Sequence, residues 1–174
     1  MKEYSVEFGE KVNINKLNSP LMNRGDYVIS HKSLVILCHD VLIEYDGGIL
    51  LVVRRDHPAK GLLWPVGGRV ARGMATDDSM RKKIKEECGL DVKDLKYVGV
   101  CRTFFKTDPF GHGNGTDTFN VMYFGRGKGK LKLNDLHEKP IIVKPSDYTE
   151  AFRKSLHPYI RDFIDMAMQL LRIE

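Results

Sequence analysis

Cysteines are few in this sequence and show no regular spacing, which argues against two kinds of stabilisation. The three that occur, Cys38, Cys88 and Cys101, are an odd number, so a framework of paired disulfides is not expected. No combination of cysteine and histidine has the spacing of a structural zinc site. We therefore predict reduced thiols and a cytoplasmic location.

Long apolar runs are also missing. The longest, residues 34–38 and 49–53, are far shorter than the roughly 20 residues that a helix needs to cross a bilayer. The first residues lack the apolar core of a secretion signal. We therefore expect no membrane partner.

Clustered positive charge is the third absence. The net charge of +5 fits an anionic ligand such as a nucleotide, but the lysines and arginines are scattered along the chain. The most basic stretch, residues 126–132, has no aromatic residues among its charges, whereas surfaces that bind single-stranded nucleic acids interleave the two. We expect this stretch to be a solvated edge, and we expect no nucleic-acid partner.

The length and composition predict one main domain. A chain of 174 residues that is 42% hydrophobic is long enough for a single core. Residues 1–30 are polar and rich in turn-forming residues, which predicts an N-terminal arm with room for one short helix. Residues 31–174 form the predicted domain, including a C-terminal helix. The arm and the apolar face of that helix favour a homodimer.

Two runs of aliphatic and β-branched residues predict a β-hairpin. The runs are residues 33–44 and 49–54, and Tyr45-Asp46-Gly47-Gly48 stands between them. An Asp-Gly pair between two such runs is typical of a tight hairpin turn. Further runs at 97–105, 118–124 and 141–143 predict more strands.

Helical periodicity occurs in two places. The first helix is predicted from Asp77 to Cys88, with Thr76 or Asp77 as its N-terminal cap and Gly89 at its C-terminal end. Its apolar face consists of Met80, Ile84 and Cys88. The second helical segment covers residues 147–173, with a break at His157-Pro158. Its predicted buried stripe is Tyr159, Phe163, Met166 and Leu170. Strands first and helices between and after them indicate an α+β fold.

The chemistry is expected in the segment from Gly67 to Leu90. Two glycines precede the first helix, and Glu86 and Glu87 lie near its C-terminal end. Carboxylates there interact unfavourably with the helix dipole unless a cation neutralises them. Carboxylate and carbonyl oxygens suit Mg²⁺, with Mn²⁺ as the alternative. From the helix alone, a solvated face on which these glutamates pair with neighbouring lysines is the favoured interpretation.

The order of residues in this segment resembles the Nudix box, G-x5-E-x7-R-E-U-x-E-E-x-G-U, where U is a bulky aliphatic residue. The matching positions are Gly68, Ile84, Glu86, Glu87, Gly89 and Leu90. Three positions depart from it: Met74 and Lys83 replace glutamates, and Lys82 replaces the arginine. The preceding stretch, RRDHPAKGLLWPVGGRV, is also very like the entry to a Nudix domain. The resemblance covers about residues 33–147, and it implies an α/β/α sandwich with a mixed sheet.

Within the superfamily the chain looks most like the GDP-mannose mannosyl hydrolases, which share the PAxG…GGRV approach and the Gly-Thr-Asp at residues 115–117. The resemblance implies a metal-dependent hydrolase that releases a sugar and a nucleoside diphosphate. It implies that the Gly67 carbonyl and Glu87, with Glu86 beside them, bind Mg²⁺. It also places Asp40, His57 and Arg69 with the substrate, and it makes His137 the general base beside the catalytic Glu87 and Arg69.

Departures from this group leave alternatives open. Leu136 stands where the group has a glutamine metal ligand, so Asp135, Glu138 or water would have to replace it. Two other functions stay open. One is the commoner Nudix reaction, cleavage of the phosphoanhydride of a nucleoside diphosphate linked to another moiety, although the glutamate missing at Lys83 counts against it. The other, motivated by Met74 and Lys83, is a catalytically impaired domain that only binds nucleotides. The base, the sugar and the bond that is cleaved are not identified by the sequence.

Overall fold

The computed structural model describes residues 1–19 and 22–172, and its elements follow the predicted order with additions at the N-terminal end. The strands are β1 (Val6–Glu7), β2 (Glu10–Lys11), β3 (Ile36–Tyr45), β4 (Gly48–Arg54), β5 (Leu63–Trp64), β6 (Val66–Arg69), β7 (Asp91–Phe105), β8 (Thr116–Lys128) and β9 (His137–Val143). The α-helices are α1 (Arg24–Ser33), α2 (Thr76–Cys88), α3 (Glu150–Ser155) and α4 (Pro158–Arg172), and a short 3₁₀ helix covers Ile14–Leu17.

Strand β3 lies at the centre of a mixed seven-stranded sheet. It runs parallel to β8 along one edge, and β7 continues the sheet antiparallel to β8. Its other edge is shared: the end of β3 forms the predicted hairpin with β4, while its first half pairs with β6. Asp46 and Gly47 both have positive φ in the hairpin turn, as a two-residue turn of this kind requires. The sharing of one edge by two strands brings β6 and its glycines against Asp40.

Side chains alternate across the sheet and so form a core on each face. Along β3, Val41 and Ile43 belong to the core under α2, whereas Leu42 belongs to the core under α4. This is the two-residue period of an extended strand with both faces covered. Helices therefore cover both sides of one mixed sheet, and the predicted α+β sandwich with a C-terminal helix is confirmed.

Helix α2 confirms the predicted apolar face and C-terminal end but not the predicted N-terminal cap. Gly89 is left-handed at φ 72°, and its amide donates to the Lys85 carbonyl, so a glycine fits the end of the helix. At the other end Ala75 occupies the cap position without a side-chain bond. The Glu3 carboxylate accepts from the backbone amide of Thr76 at 2.9 Å instead. The cap thus comes from the N-terminal arm, which a local sequence pattern does not reveal.

Helix α4 packs through a face that differs by one residue from the predicted stripe. Tyr159 and Phe163 are buried as predicted, and Leu170 packs partly buried against the same core. Met166 is 42% exposed, whereas Ile164 and Ala167 are buried in its place. The buried residues recur at spacings of three and four and are centred on a face that includes Ile160 and Ile164, which leaves Met166 to one side of it.

The N-terminal residues contain more regular secondary structure than the predicted arm. Helix α1 extends from Arg24 to Ser33, so the boundary predicted at residue 30 falls inside it. Its side chains Tyr27 and His31 line a pocket that opens beside β3. Within residues 1–19 and 22–172, no helix combines the length and the apolarity needed to span a membrane.

The burial along α4 predicts a contrast between two neighbouring positions. Ile164 is fully buried, so Ile164→Ala should lower the free energy of unfolding by roughly 2–5 kcal/mol through lost burial and a cavity. Met166→Ala, its control on the exposed face, should change that free energy by less than about 1 kcal/mol. Urea denaturation of both variants measures the difference. Equal losses would contradict the face assigned to α4.

Candidate active site

A pocket of about 310 Å³ opens beside β3, a size that suits a small-molecule ligand. Its walls come from α1, α2, β3, β6, the residues before and at the start of β9, and the loop between β7 and β8. It brings together most of the residues predicted for the site: Asp40, His57, Gly67, Arg69, Glu87 and His137. The sequence therefore predicted a set of residues that the fold places in one cavity.

Glu87 is buried in the last turn of α2, and both of its carboxylate oxygens have partners. Its side chain is only 3% exposed. The Lys83 ammonium lies 3.3 Å from Oε1, and the His137 Nε2 lies 3.0 Å from Oε2. Lys83 is one helical turn before Glu87, so the two side chains share a face of the helix. A buried carboxylate requires such compensation, because an unpaired charge away from water is very unfavourable.

Backbone bonds explain why His137 reaches Glu87 across a separation of fifty residues. The amide of Asn134 donates to the Glu87 carbonyl at 2.9 Å, and the amide of Lys132 donates to the Cys88 carbonyl at 3.0 Å. These bonds satisfy carbonyls that the end of a helix leaves without partners. They also fix the segment that precedes β9 against α2. His137 then begins β9 opposite Arg54 of β4.

The contact with Glu87 determines which ring nitrogen of His137 carries the proton. An ionised carboxylate can only accept a hydrogen bond, so the His137 Nε2 donates to it. In the neutral ring Nδ1 is then the basic atom. This Nδ1 is buried and has no hydrogen-bond partner within the described residues. The pair has the form of a base whose orientation is set by a carboxylate.

Asp40 is the second buried carboxylate of the pocket. The Tyr159 hydroxyl of α4 donates to its Oδ2 at 2.6 Å. Burial raises the pKa of Asp40 to about 6, although the bond from Tyr159 and the charge of Arg54 oppose this rise. Gly67 faces Asp40 across the β3–β6 pairing, and a side chain at residue 67 would collide with the Asp40 carboxylate and with the His39 carbonyl. Glycine is therefore required there for a close approach of backbone to side chain.

Two arginines contribute positive charge to the same pocket. Arg69 is exposed at the end of β6, and its guanidinium carbon lies 3.7 Å from the centre of the Tyr27 ring. This cation–π contact positions the guanidinium at the pocket wall. Arg54 ends β4 and also lines the pocket, where its Nε is buried with no hydrogen-bond partner within the described residues.

One wall of the pocket is the loop of residues 106–115, which packs against α1. The Asp108 carboxylate accepts hydrogen bonds from the amides of Phe110, His112 and Gly113 at 2.8–3.1 Å. Although desolvation opposes them, these bonds lower the pKa of Asp108 to about 2. The Nε2 atom of His112 lies 2.9 Å from the Nδ1 atom of His31 in α1. An acidic loop residue thus organises the loop backbone rather than facing the ligand.

Sequence reasoning missed several pocket residues. Lys83 was noted as a departure from the Nudix box and as one of the lysines that could pair with the glutamates, but it was not placed in the pocket, where it forms the ion pair with Glu87. Arg54 could have been found from its position at the end of a buried strand, just before the loop that carries His57. Tyr27 and Tyr159 belong to helices that approach the pocket only through the tertiary fold, and no local signal marks them.

Glu86 is the one predicted metal ligand that lies outside the pocket. Its side chain is 56% exposed, and its carboxylate is 3.9 Å from the Lys82 ammonium. Glu86 lies two residues from both Ile84 and Cys88, about 200° around the helix from each, so it points away from the buried face that those residues share with Glu87. Glu86 therefore belongs to the solvated face that was the alternative interpretation of this glutamate pair.

The remaining donors do not fit a resident divalent ion. The Glu87 carboxylate is engaged by Lys83 and His137. Glu138, which the sequence offered as a substitute ligand, is 3.8 Å from Arg55, and Leu136 has no donor atom. Across residues 1–19 and 22–172, no three side chains of histidine, cysteine, aspartate or glutamate form a group that could hold a metal. This differs from the Mg²⁺ site that the resemblance implied.

Comparison with known families identifies the fold. The family model described as the NUDIX domain matches residues 39–165. This range is most of the chain, and it includes Lys83, Glu87 and His137. The chain belongs to the Nudix hydrolase family. Nudix hydrolases generally use divalent metals, whereas the Glu87 carboxylate of this chain is engaged by Lys83 and His137.

Two relatives of this Nudix chain give its similarity more detail. It is 25% identical over 130 residues to the low-salt glycan biosynthesis protein Agl8 of Haloferax volcanii, a match that covers 72% of this chain and 78% of the relative. It is 38% identical over 73 residues to the ADP-ribose pyrophosphatase of Methanocaldococcus jannaschii, which covers 42% of this chain and 43% of the relative.

A solved structure supports the Nudix fold. A bifunctional NMN adenylyltransferase/ADP ribose pyrophosphatase from Francisella tularensis, complexed with AMP and a manganese ion, aligns with a TM-score of 0.59 and 15% identity. The alignment covers 84% of this chain and 47% of that protein. At this identity the likeness concerns the Nudix fold alone.

The raised pKa of Asp40 predicts how stability depends on pH. The folded protein retains this proton while the unfolded chain, with an ordinary value of 3.8, has already lost it. The free energy of unfolding therefore falls as the pH rises from about 4 to about 6. Asp40→Asn removes this contribution. The free energy of unfolding of the variant minus that of the wild type should therefore increase by roughly 2–3 kcal/mol as the pH rises from about 4 to about 6. Urea denaturation at several pH values measures this, and parallel curves for the two proteins would contradict it.

Proposed function

We propose that this chain hydrolyses a nucleoside diphosphate linked to a sugar, releasing the sugar and the nucleoside diphosphate. The observation that carries the proposal is the buried pair of Glu87 and His137 in a pocket that also holds Asp40. It supplies an oriented base with one further carboxylate, and it lacks the cluster of carboxylates that sites with two or three metals need. The similarity to a protein named for glycan biosynthesis favours a sugar-linked substrate.

The proposed reaction assigns a separate task to each pocket residue. His137, oriented by Glu87, takes a proton from a water molecule. The oxygen of that water bonds to the anomeric carbon of the sugar, and the bond from this carbon to the diphosphate oxygen breaks. The electron pair leaves with the nucleoside diphosphate. Arg69 provides a planar, permanently charged group for its phosphate oxygens.

The floor of the pocket suits a ligand with several hydroxyl groups. The Asn120 amide donates to the hydroxyls of Thr103 and Thr118 at 3.0 Å each, and those hydroxyls are 2.6 Å apart. All three residues line the cavity. Asp40 adds a buried carboxylate close to them, and we assign it, with His57 at the rim, to the substrate. A network of hydroxyl and amide groups matches hydroxyl groups of a sugar better than an apolar moiety.

Cleavage of a phosphoanhydride is the second candidate reaction. It is favoured by the similarity to a protein named ADP-ribose pyrophosphatase, which reaches 38% identity over its matched segment. The same pocket residues would then direct water to phosphorus. Magnesium, which the resemblance implied, has no assigned place in either reaction, because Lys83 and His137 already engage Glu87.

The two adjacent glutamates offer a matched test of the site. Glu87→Gln should lower kcat by about 10²–10⁴-fold, because the neutral amide removes the negative charge that stabilises the protonated base and no longer enforces its tautomer. Glu86→Gln makes the same chemical change on the exposed side of the helix, and its kcat should stay within about twofold of the wild type. Steady-state rates on GDP-mannose, ADP-ribose and related compounds measure both. A Glu87→Gln protein with unchanged rates would falsify the proposed role of this site.

The position of attack separates the two candidate reactions. We expect hydrolysis in ¹⁸O-labelled water to place the label in the released sugar, since the proposed bond forms to carbon. Mass spectrometry of both products detects the label. Label in a phosphate group would show attack at phosphorus and would replace the proposal by phosphoanhydride cleavage. Absence of hydrolysis over the whole set of compounds would contradict both reactions.

A further inference from the structure

Residue 83 is positively charged in this chain and negatively charged in the Nudix box, and the structure shows which group the positive charge contacts. The box has glutamate there, whereas Lys83 carries an ammonium that lies 3.3 Å from the buried Glu87 carboxylate. Substitution of a carboxylate by an ammonium removes one metal ligand and adds a fixed positive charge beside the next. Both changes act against a divalent ion, which needs several oxygen ligands and no cation in contact with them.

We propose that Lys83 serves as a built-in cation in place of a divalent metal at Glu87, and that it binds the diphosphate of the ligand directly. The diphosphate part of this inference rests on the proposed function. The replacement of the metal rests on the contacts of Lys83 alone. The pocket would then bind a nucleoside diphosphate group without a resident metal ion.

The path of the Lys83 side chain supports a defined position for its ammonium. A Cβ at residue 68 would lie 3.3 Å from the Lys83 Cε and 3.5 Å from its Nζ, so the glycine leaves the space along which this stem runs. The side chain is 28% exposed, and Lys83 lines the pocket. Its ammonium therefore contacts the buried carboxylate while part of the side chain remains open to the cavity. An ammonium has three donors, so binding Glu87 leaves donors for a phosphate oxygen.

The surrounding charges make the pocket attractive to an anion. Lys83, Arg54 and Arg69 all line it, as do the buried carboxylates Glu87 and Asp40 and the exposed Asp56. Burial favours the neutral form of Asp40 by raising its pKa, and Glu87 is matched by Lys83. The buried Nε of Arg54 has no hydrogen-bond partner within the described residues, which is unfavourable unless a ligand supplies an acceptor. A diphosphate provides several acceptors and negative charge for Arg54 and Arg69, and an acceptor for the remaining donors of Lys83.

The first experiment measures the binding of Mn²⁺ alone, in three proteins, by the electron paramagnetic resonance signal of the free ion. Lys83→Glu restores the carboxylate of the box beside Glu87 and should bind Mn²⁺ at least about tenfold more tightly than the wild type. Lys82→Glu is the matched control, since it makes the same charge change one residue earlier, where the side chain is 60% exposed. It should bind Mn²⁺ as the wild type does.

Equal Mn²⁺ affinities of wild type and Lys83→Glu, whether tight or undetectable, would overturn the replacement of the metal by Lys83. If Lys83→Glu does not fold, as judged by circular dichroism, Lys83→Met takes its place. This variant frees Glu87 without adding charge, and it should still bind Mn²⁺ more tightly than the wild type, by about threefold or more. No gain in that variant would overturn the proposal as well.

The second experiment measures binding of ADP and GDP by calorimetry in the presence of EDTA. The wild type should bind with an affinity that changes less than about twofold when Mn²⁺ replaces EDTA, and Lys83→Met should bind about tenfold more weakly in EDTA. Binding that depends on Mn²⁺ would overturn direct binding by Lys83. No binding under either condition would contradict the proposed function, while the Mn²⁺ titration, which contains no nucleotide, still decides whether Lys83 replaces the metal.

Discussion

A carboxylate that is removed from water must be matched by positive charge or by hydrogen-bond donors, and in this protein that requirement falls on Glu87. Lys83 supplies a positive charge from the same helix, and His137 donates a hydrogen bond from a strand far along the chain. The position of His137 depends in turn on the segment before β9, whose amides bind the last carbonyls of α2. The end of one helix, the approach to one strand and the candidate base are therefore parts of a single arrangement around this charge.

The features that could be predicted from the sequence are those determined by neighbours along the chain. The hairpin follows from Asp46-Gly47 between two aliphatic runs, and α2 follows from the spacing of Met80, Ile84 and Cys88. Asp40 was recognisable as a polar residue in an apolar strand. Its environment was not, because Tyr159 is 119 residues away and approaches only when α4 packs on the sheet.

The choice between Glu86 and Glu87 shows a different limit of sequence reasoning. Both residues match the Nudix box, and both were assigned to the metal. The helix directs Glu87 and not Glu86 towards the sheet, because Glu86 lies about 200° around the helix from both Ile84 and Cys88. The apolar face was already known from Ile84 and Cys88, and extending it would have placed Glu87 on the buried side. The pairing of Lys83 with Glu87 was equally accessible, since it is an i,i+4 contact within one helix.

The bond between Tyr159 and Asp40 has a consequence for the whole C-terminal layer. Tyr159 is part of the core that α4 forms with the sheet, together with Ile160 and Phe163. Its hydroxyl donates to Asp40, which lines the pocket, so a shift of the helix by a fraction of an ångström moves the donor that holds a pocket side chain. Packing substitutions beneath α4 would then alter affinity for the ligand as well as stability. Drift of the hydrophobic residues in that layer is a route by which relatives of this chain could change specificity without altering a single pocket residue.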